Sequence, residues 1–79
     1  MKLPREISGR ELARCLEKRG YAVTRQTGSH LRLTTTWEGE HHITVPSHKN
    51  LKIGTLSAIL SDVAAHFGVD KGDLVKELF

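Results

Sequence analysis

Three short segments of alternating apolar and polar residues constrain this fold more than any other feature. They cover residues 21–26, 30–36 and 41–45. Alternation with a period of two is typical of a β-strand that buries one face. The connections, Thr27-Gly28-Ser29 and residues 37–40, are short and rich in turn-forming residues, and such connections join antiparallel strands. The sequence therefore predicts a three-stranded antiparallel meander.

The alternation also predicts which side chains share a face of this sheet. Tyr21 and Val23 should point one way in the first strand. The apolar residues of the other two strands should form one face, and they are Leu31, Leu33, Ile43 and Val45. The opposite face should carry His30, Arg32, Thr34, His42 and Thr44.

An amphipathic helix is predicted before the strands. Ser8 and Glu11 have the spacing of a capping box, and Gly20 is a natural C-terminal stop after a helix that reaches about residue 18. The apolar stripe of this helix consists of Leu12, Ala13, Cys15 and Leu16. Basic residues recur every four positions on its opposite side, at Arg10, Arg14 and Lys18.

Two further helices are predicted after the strands. The first has apolar residues at i, i+3, i+4 and i+7 spacing, namely Leu56, Ile59, Leu60, Val63, Ala64 and Phe67, and ends at Gly68. A short last helix starts at residues 70–73. We expect one α+β domain over residues 1–79, in the order α-β-β-β-α with a short extra C-terminal helix and with the helices on one face of the sheet.

The charge of the chain is unevenly distributed. Residues 1–32 hold eight basic residues against three acidic ones, a balance of +5, whereas residues 33–79 hold four against six, a balance of −2. A basic half suits a polyanion such as nucleic acid, and a merely solvated basic surface accounts for the charge equally well. The single cysteine excludes an internal disulfide. With no apolar leader or span in the sequence, we expect a cytoplasmic protein that does not bind membranes.

His30 is the first candidate for chemistry, because it follows the Gly28-Ser29 turn and begins the central strand. An imidazole titrates near neutral pH and can act as a general acid or base. It could take the proton of an RNA 2′-hydroxyl, which then attacks the neighbouring phosphorus, while Arg32 or Lys49 stabilises the charge on phosphate. On periodicity alone, an exposed strand histidine without a role is the stronger interpretation.

The other histidines carry weaker hypotheses. His48 in the basic loop is a second acid–base group, a phosphate contact or an inert loop residue. His41 and His42 are adjacent in a strand and should point to opposite faces, so we expect no metal site and no other cofactor. Trp37 lies in a turn, where it either stacks on a base or covers the end of the core.

Several motifs, taken in their order and spacing, resemble the HicA toxin family. They are residues 20–30 with Gly28-Ser29-His30, residues 43–48 with Pro46-Ser47-His48, and Gly54-Thr55-Leu56 with Ile59 and Leu60. The chain departs from the family pattern in a second helix that is about one turn longer and in the second-strand run Thr34-Thr35-Thr36.

The resemblance implies a fold like the double-stranded-RNA-binding domain and a type II toxin that cleaves mRNA without a metal ion, with His30 as the catalytic residue. It implies a HicB-type antitoxin that covers the active site, so the chain would be a monomer alone and a hetero-oligomer with its antitoxin. The residues expected to bind RNA or support the site are Gly28, Ser29, Arg32, His48, Lys49, Arg10 and Arg14. Two alternatives stay open, a non-catalytic RNA-binding module and a protein–protein interaction module.

Overall fold

The computed structural model describes residues 2–79, and the predicted order of elements is confirmed. The elements are helix α1 (Gly9–Leu16), a 3₁₀ turn (Glu17–Arg19), strands β1 (Ala22–Thr27), β2 (His30–Thr35) and β3 (His41–Pro46), and helices α2 (Ile53–Phe67) and α3 (Lys71–Leu78). Met1, with which the predicted domain begins, lies outside the described residues. No helix between residues 2 and 79 is long and apolar enough to cross a membrane.

The three strands form an antiparallel sheet in the order β1-β2-β3. Leu31 pairs with Val45 and Leu33 pairs with Ile43, and all four side chains are buried beneath the helices. The predicted faces of β2 and β3 are confirmed, because the residues between these pairs, such as Arg32, then point away from the helices. We call that uncovered side the open face of the sheet.

The prediction of regular alternation over residues 21–26 is wrong beyond Val23. Val23 pairs with Leu33, but the next residue to pair is Arg25, opposite Arg32. Thr24 is therefore the extra residue of a β-bulge, which places two residues of one strand opposite one residue of its partner. Val23 itself faces the helix side at the sheet edge and remains 49% exposed.

The predicted capping box at the start of α1 is confirmed. The Ser8 hydroxyl accepts from the Glu11 backbone N–H at 3.0 Å, and the Glu11 carboxylate accepts from the Ser8 N–H at 3.1 Å. The α-helix ends at Leu16 rather than near residue 18, and the 3₁₀ turn carries the chain to Gly20. Gly20 has a φ of +79°, and the Trp37 ring lies against it. Trp37 is nevertheless 53% exposed, so both of its interpretations, stacking on a base and covering the end of the core, stay open.

The core lies between the helices and the covered face of the sheet. Its fully buried large side chains are Leu12, Leu16, Tyr21, Leu31, Leu33, Val45, Leu56, Leu60, Val63 and Leu74. Cys15 is only partly buried, at the edge of the predicted stripe. Helix α3 begins at the predicted place, and the side chain of Asp70 accepts from the Asp73 N–H at 3.0 Å.

Candidate functional site

His30 lies at a corner of the sheet, as the first residue of β2. It follows the two-residue turn Gly28-Ser29, in which Gly28 has a φ of +55° and Ser29 does not have a positive φ. A positive φ at the first central position alone is what a type II′ hairpin turn requires, and glycine adopts it without steric cost. A Cβ at Gly28 would meet no atom within 4 Å, so conformation rather than space accounts for this glycine.

The His30 ring is free on the open face. His30 pairs with Thr27 on one side and with Pro46 on the other, and its side chain is exposed. Within residues 2–79 no group hydrogen-bonds to the ring. Both ring nitrogens are therefore open to a ligand.

The loop that carries His48 and Lys49 starts beside this turn. The Ser47 N–H donates to the Ser29 carbonyl at 2.6 Å, which extends the pairing of β2 and β3 by one bond. His48 and Lys49 are both exposed. The Gly28-Ser29-His30 turn is thus joined through Ser47 to the loop in which His48 and Lys49 follow.

The start of α1 is packed against the same loop. The Gly9 N–H donates to the His48 carbonyl at 3.0 Å. Arg10 follows directly, and Arg14 is one turn further on. Both line a groove between α1 and β1 that also includes Val23, on the covered side of the sheet. These two arginines therefore do not share a face with Arg32, which lies on the open face two residues from His30.

The open face also holds a hydrogen-bonded chain that the sequence did not predict. His42 Nδ1 lies 2.8 Å from the Thr34 hydroxyl, and His42 Nε2 lies 2.7 Å from a Glu40 carboxylate oxygen. The Thr34 hydroxyl is in turn 2.9 Å from that of Thr24. Both ring nitrogens of His42 are thus hydrogen-bonded, whereas the ring of His30 has no hydrogen bond within residues 2–79.

Sequence reasoning missed Arg25 as a residue of the open face. Regular alternation from Val23 would place the Arg25 side chain on the covered face, but the bulge at Thr24 places Arg25 opposite Arg32. The sequence contains no glycine or proline in β1 that would have signalled the irregularity. A run of polar residues beyond Val23 is the only available hint.

Two more histidines lie at the far end of the covered face. His41 Nδ1 is 2.7 Å from the Tyr21 hydroxyl, and its Nε2 is 3.2 Å from Asp62. The His66 ring stacks on His41 with centroids 4.4 Å apart. His41 and His42 point to opposite faces, as predicted from their adjacency. Across the part of the chain that the structure describes, no three potential metal ligands of the His, Cys, Asp or Glu type converge.

Comparison with known proteins gives one finding. The family model described as "HicA toxin of bacterial toxin-antitoxin" matches residues 9–64. This span runs from the start of α1 into the last turns of α2, and it includes the whole corner around His30. Curated proteins and solved structures gave no match.

Proposed function

Because this chain belongs to the HicA toxin family of bacterial toxin-antitoxin systems, we propose that it is a toxin that cleaves mRNA and so blocks translation. The observation that carries the proposal is the free ring of His30, which follows a tight turn onto the open face, with Arg32 two residues along the same strand and on the same face. RNA needs only an acid–base group to be cleaved at a phosphodiester, so a free imidazole is sufficient for the reaction without a metal cofactor.

In the proposed reaction, His30 takes the proton of a 2′-hydroxyl. The 2′-oxygen then forms a bond to the adjacent phosphorus, and the bond from phosphorus to the 5′-oxygen of the next nucleotide breaks. The leaving oxygen takes a proton from the imidazolium or from water. Arg32 on the same face and Lys49 in the neighbouring loop stabilise the additional negative charge on the phosphate.

The remaining site residues have supporting roles in this proposal. Gly28 and Ser29 fix the position of His30 through the turn and through the Ser29 carbonyl, which accepts from Ser47. His48 and Lys49 contact the RNA from the loop. Arg10 and Arg14, which line the groove between α1 and β1, attract the polyanion from the other side of the sheet edge.

We further propose that the partner is a HicB-type antitoxin that covers the corner around His30, so that the free toxin is a monomer and the neutral form is a hetero-oligomer. The exposed edge of β1, with Val23 half exposed, suits coverage by a partner protein. The site of action would be the cytoplasm, where mRNA is translated.

The test is the substitution His30→Ala. The side chain is exposed and makes no hydrogen bond among residues 2–79, so the fold should survive while RNA cleavage falls to background. His42→Ala is the matched control, since it removes a histidine from the same face whose nitrogens are already engaged, and it should retain most of the cleavage. In cells, growth should stop on expression of the wild-type chain and recover with His30→Ala or with co-expressed antitoxin.

Cleavage by His30→Ala at the wild-type rate would overturn the catalytic proposal. RNA that is bound in a salt-dependent way but stays intact with the wild-type protein would instead favour the non-catalytic RNA-binding module. Absence of any RNA affinity at low salt would favour a protein–protein module.

A further inference from the structure

Two arginines lie directly opposite each other on the open face of the sheet. Arg25 in β1 pairs with Arg32 in β2, and both side chains are exposed. The Cβ atoms of such a cross-strand pair are about 5 Å apart, and like charges in this position destabilise a sheet. Stability of the sheet therefore does not account for the pair.

Within the described part of the chain, residues 2–79, no acidic side chain pairs with these two guanidinium groups. The ion pairs found within residues 2–79 join Arg19 to Glu77, His41 to Asp62 and His42 to Glu40, and none of them includes Arg25 or Arg32. The other cross-strand neighbour of Arg32 is the uncharged Thr44. Two positive charges are thus presented together to solvent, next to His30.

The bulge at Thr24 is what brings Arg25 to this face. It sets both Thr24 and Arg25 opposite Arg32, whereas regular alternation would turn Arg25 toward the helices. The Thr24 hydroxyl donates to the Arg32 carbonyl at 3.4 Å and bonds with the Thr34 hydroxyl at 2.9 Å. Bulges of this kind redirect side chains beside functional sites.

The hydrogen-bonded side chains of the open face do not use either arginine. They run from Thr24 through Thr34 and His42 to Glu40. The neighbouring polar side chains therefore satisfy one another, and both guanidinium groups remain available for a ligand.

We propose that Arg25 and Arg32 form a clamp for one backbone phosphate of the RNA, and that Arg25 is a positioning residue for cleavage at His30. A guanidinium fork matches a phosphate with two parallel hydrogen bonds. His30 lies two residues along β2 from Arg32, roughly 7 Å away, so a phosphate held by the clamp places the neighbouring nucleotide over the imidazole. This inference rests on the proposed function and assigns the open face as the RNA-binding surface.

The test compares three variants in a His30→Ala background, so that the RNA stays intact. Arg25→Gln removes one arm of the clamp. The double variant Arg25→Gln with Gln26→Arg keeps net charge and composition but moves the cation to the covered side, because residue 26 pairs with Leu31. Arg5→Gln is the control that removes an exposed arginine beside α3. The probe is an unstructured single-stranded RNA oligonucleotide, titrated over a range of salt concentrations.

Arg25→Gln and the exchange variant should both weaken RNA binding by about tenfold at low salt, and Arg25→Gln should lower the slope of log affinity against log salt by about 0.7, the value for one phosphate contact in a single strand. Arg5→Gln should leave affinity within about twofold, since it does not touch the clamp. The melting temperature of Arg25→Gln should stay the same or rise, because the substitution relieves a like-charge pair. If Arg25 had only a structural role, Arg25→Gln would instead lower the melting temperature.

Normal RNA affinity in the exchange variant, or an equal loss in Arg5→Gln, would overturn the clamp in favour of diffuse charge. Unchanged RNA affinity in Arg25→Gln together with weaker antitoxin binding would assign Arg25 to a protein interface and overturn it as well. If the His30→Ala parent protein binds no RNA, the proposed function itself is refuted. That result differs from a failure of the clamp, because RNA binding is then absent before any arginine is changed.

Discussion

At the scale of single residues, Tyr21 shows how a buried polar group fixes its neighbours. Its side chain is 2% exposed, and burial, aided by the charge of Asp62, raises the pKa of its phenol from 10 to about 12 against the opposing effect of Arg19. The phenol is therefore protonated at neutral pH. Its oxygen lies 2.7 Å from His41 Nδ1, and His41 Nε2 lies 3.2 Å from an Asp62 carboxylate oxygen, so the three side chains form one hydrogen-bonded group.

This shift predicts a loss of stability in alkaline solution. The pKa is higher in the folded chain than in the unfolded one, so the stabilising contribution is complete below pH 10 and is lost as the pH rises from 10 toward about 12. The free energy of unfolding in urea should fall more steeply across this window for the wild type than for Tyr21→Phe. Tyr21 is the chain's single tyrosine, so tyrosinate absorbance reports its ionisation alone, and a midpoint near 10 in the folded protein would contradict the prediction.

The sequence predicts the orientation and partners of some residues and not of others. The face of His30 followed from Leu31 and Leu33, because in a regular strand two buried side chains determine the direction of every other one. The face of Arg25 was not predicted, because it depends on the bulge at Thr24. The Thr24 hydroxyl bonds to groups on β2, and the sequence of β1 alone does not indicate such contacts. The partners of His41 lie far away in sequence and were missed for the same reason. The proposed catalytic role of His30 came from the family resemblance rather than from any pattern in the strand.

At the scale of elements, the junction of α1 with the end of β3 positions the loop at the candidate site. A Cβ on Gly9 would lie 1.8 Å from the Pro46 carbonyl oxygen, so the helix can begin against β3 only with glycine there. The capping box was predicted correctly from Ser8 and Glu11. It specifies where a helix begins but not what its first turn packs against, and for this reason the role of Gly9 was not predicted.

Gly9→Ala should therefore damage both the fold and the site. We expect a loss of roughly 1–3 kcal/mol in the free energy of unfolding, as for overpacked positions, and slower RNA cleavage, because the loop with His48 and Lys49 must move. Gly54→Ala is the matched control at the start of α2. A Cβ there meets nothing within 4 Å, and alanine favours a helix over glycine by about 1 kcal/mol. Urea unfolding and cleavage rates that change equally in the two variants would contradict this role for Gly9.

At the scale of the whole molecule, the core extends beyond the family match. The match ends at residue 64, but α3 contributes Leu74, Val75 and Leu78 to the core. The Arg19 guanidinium makes two hydrogen bonds to Glu77, at 2.8 and 2.6 Å, so the end of α3 is tied to the segment after α1. The sequence predicted this helix from its start at residues 70–73. It did not predict where the helix docks, because that depends on contacts about 60 residues apart in the chain.

A chain that ends at residue 70 should consequently fail to fold. Domains of this size are stable by only about 5–15 kcal/mol, and removing a buried leucine side chain costs about 2–5 kcal/mol, so losing Leu74 and Leu78 together consumes most of that margin. We expect no cooperative urea transition and no dispersed NMR spectrum from the truncated chain. Glu77→Gln is the control, because it breaks the Arg19 pair at the surface and should cost no more than about 1 kcal/mol. A truncated chain that unfolds cooperatively at the wild-type urea midpoint would show that α3 is dispensable, and that the family-matched residues carry the fold without it.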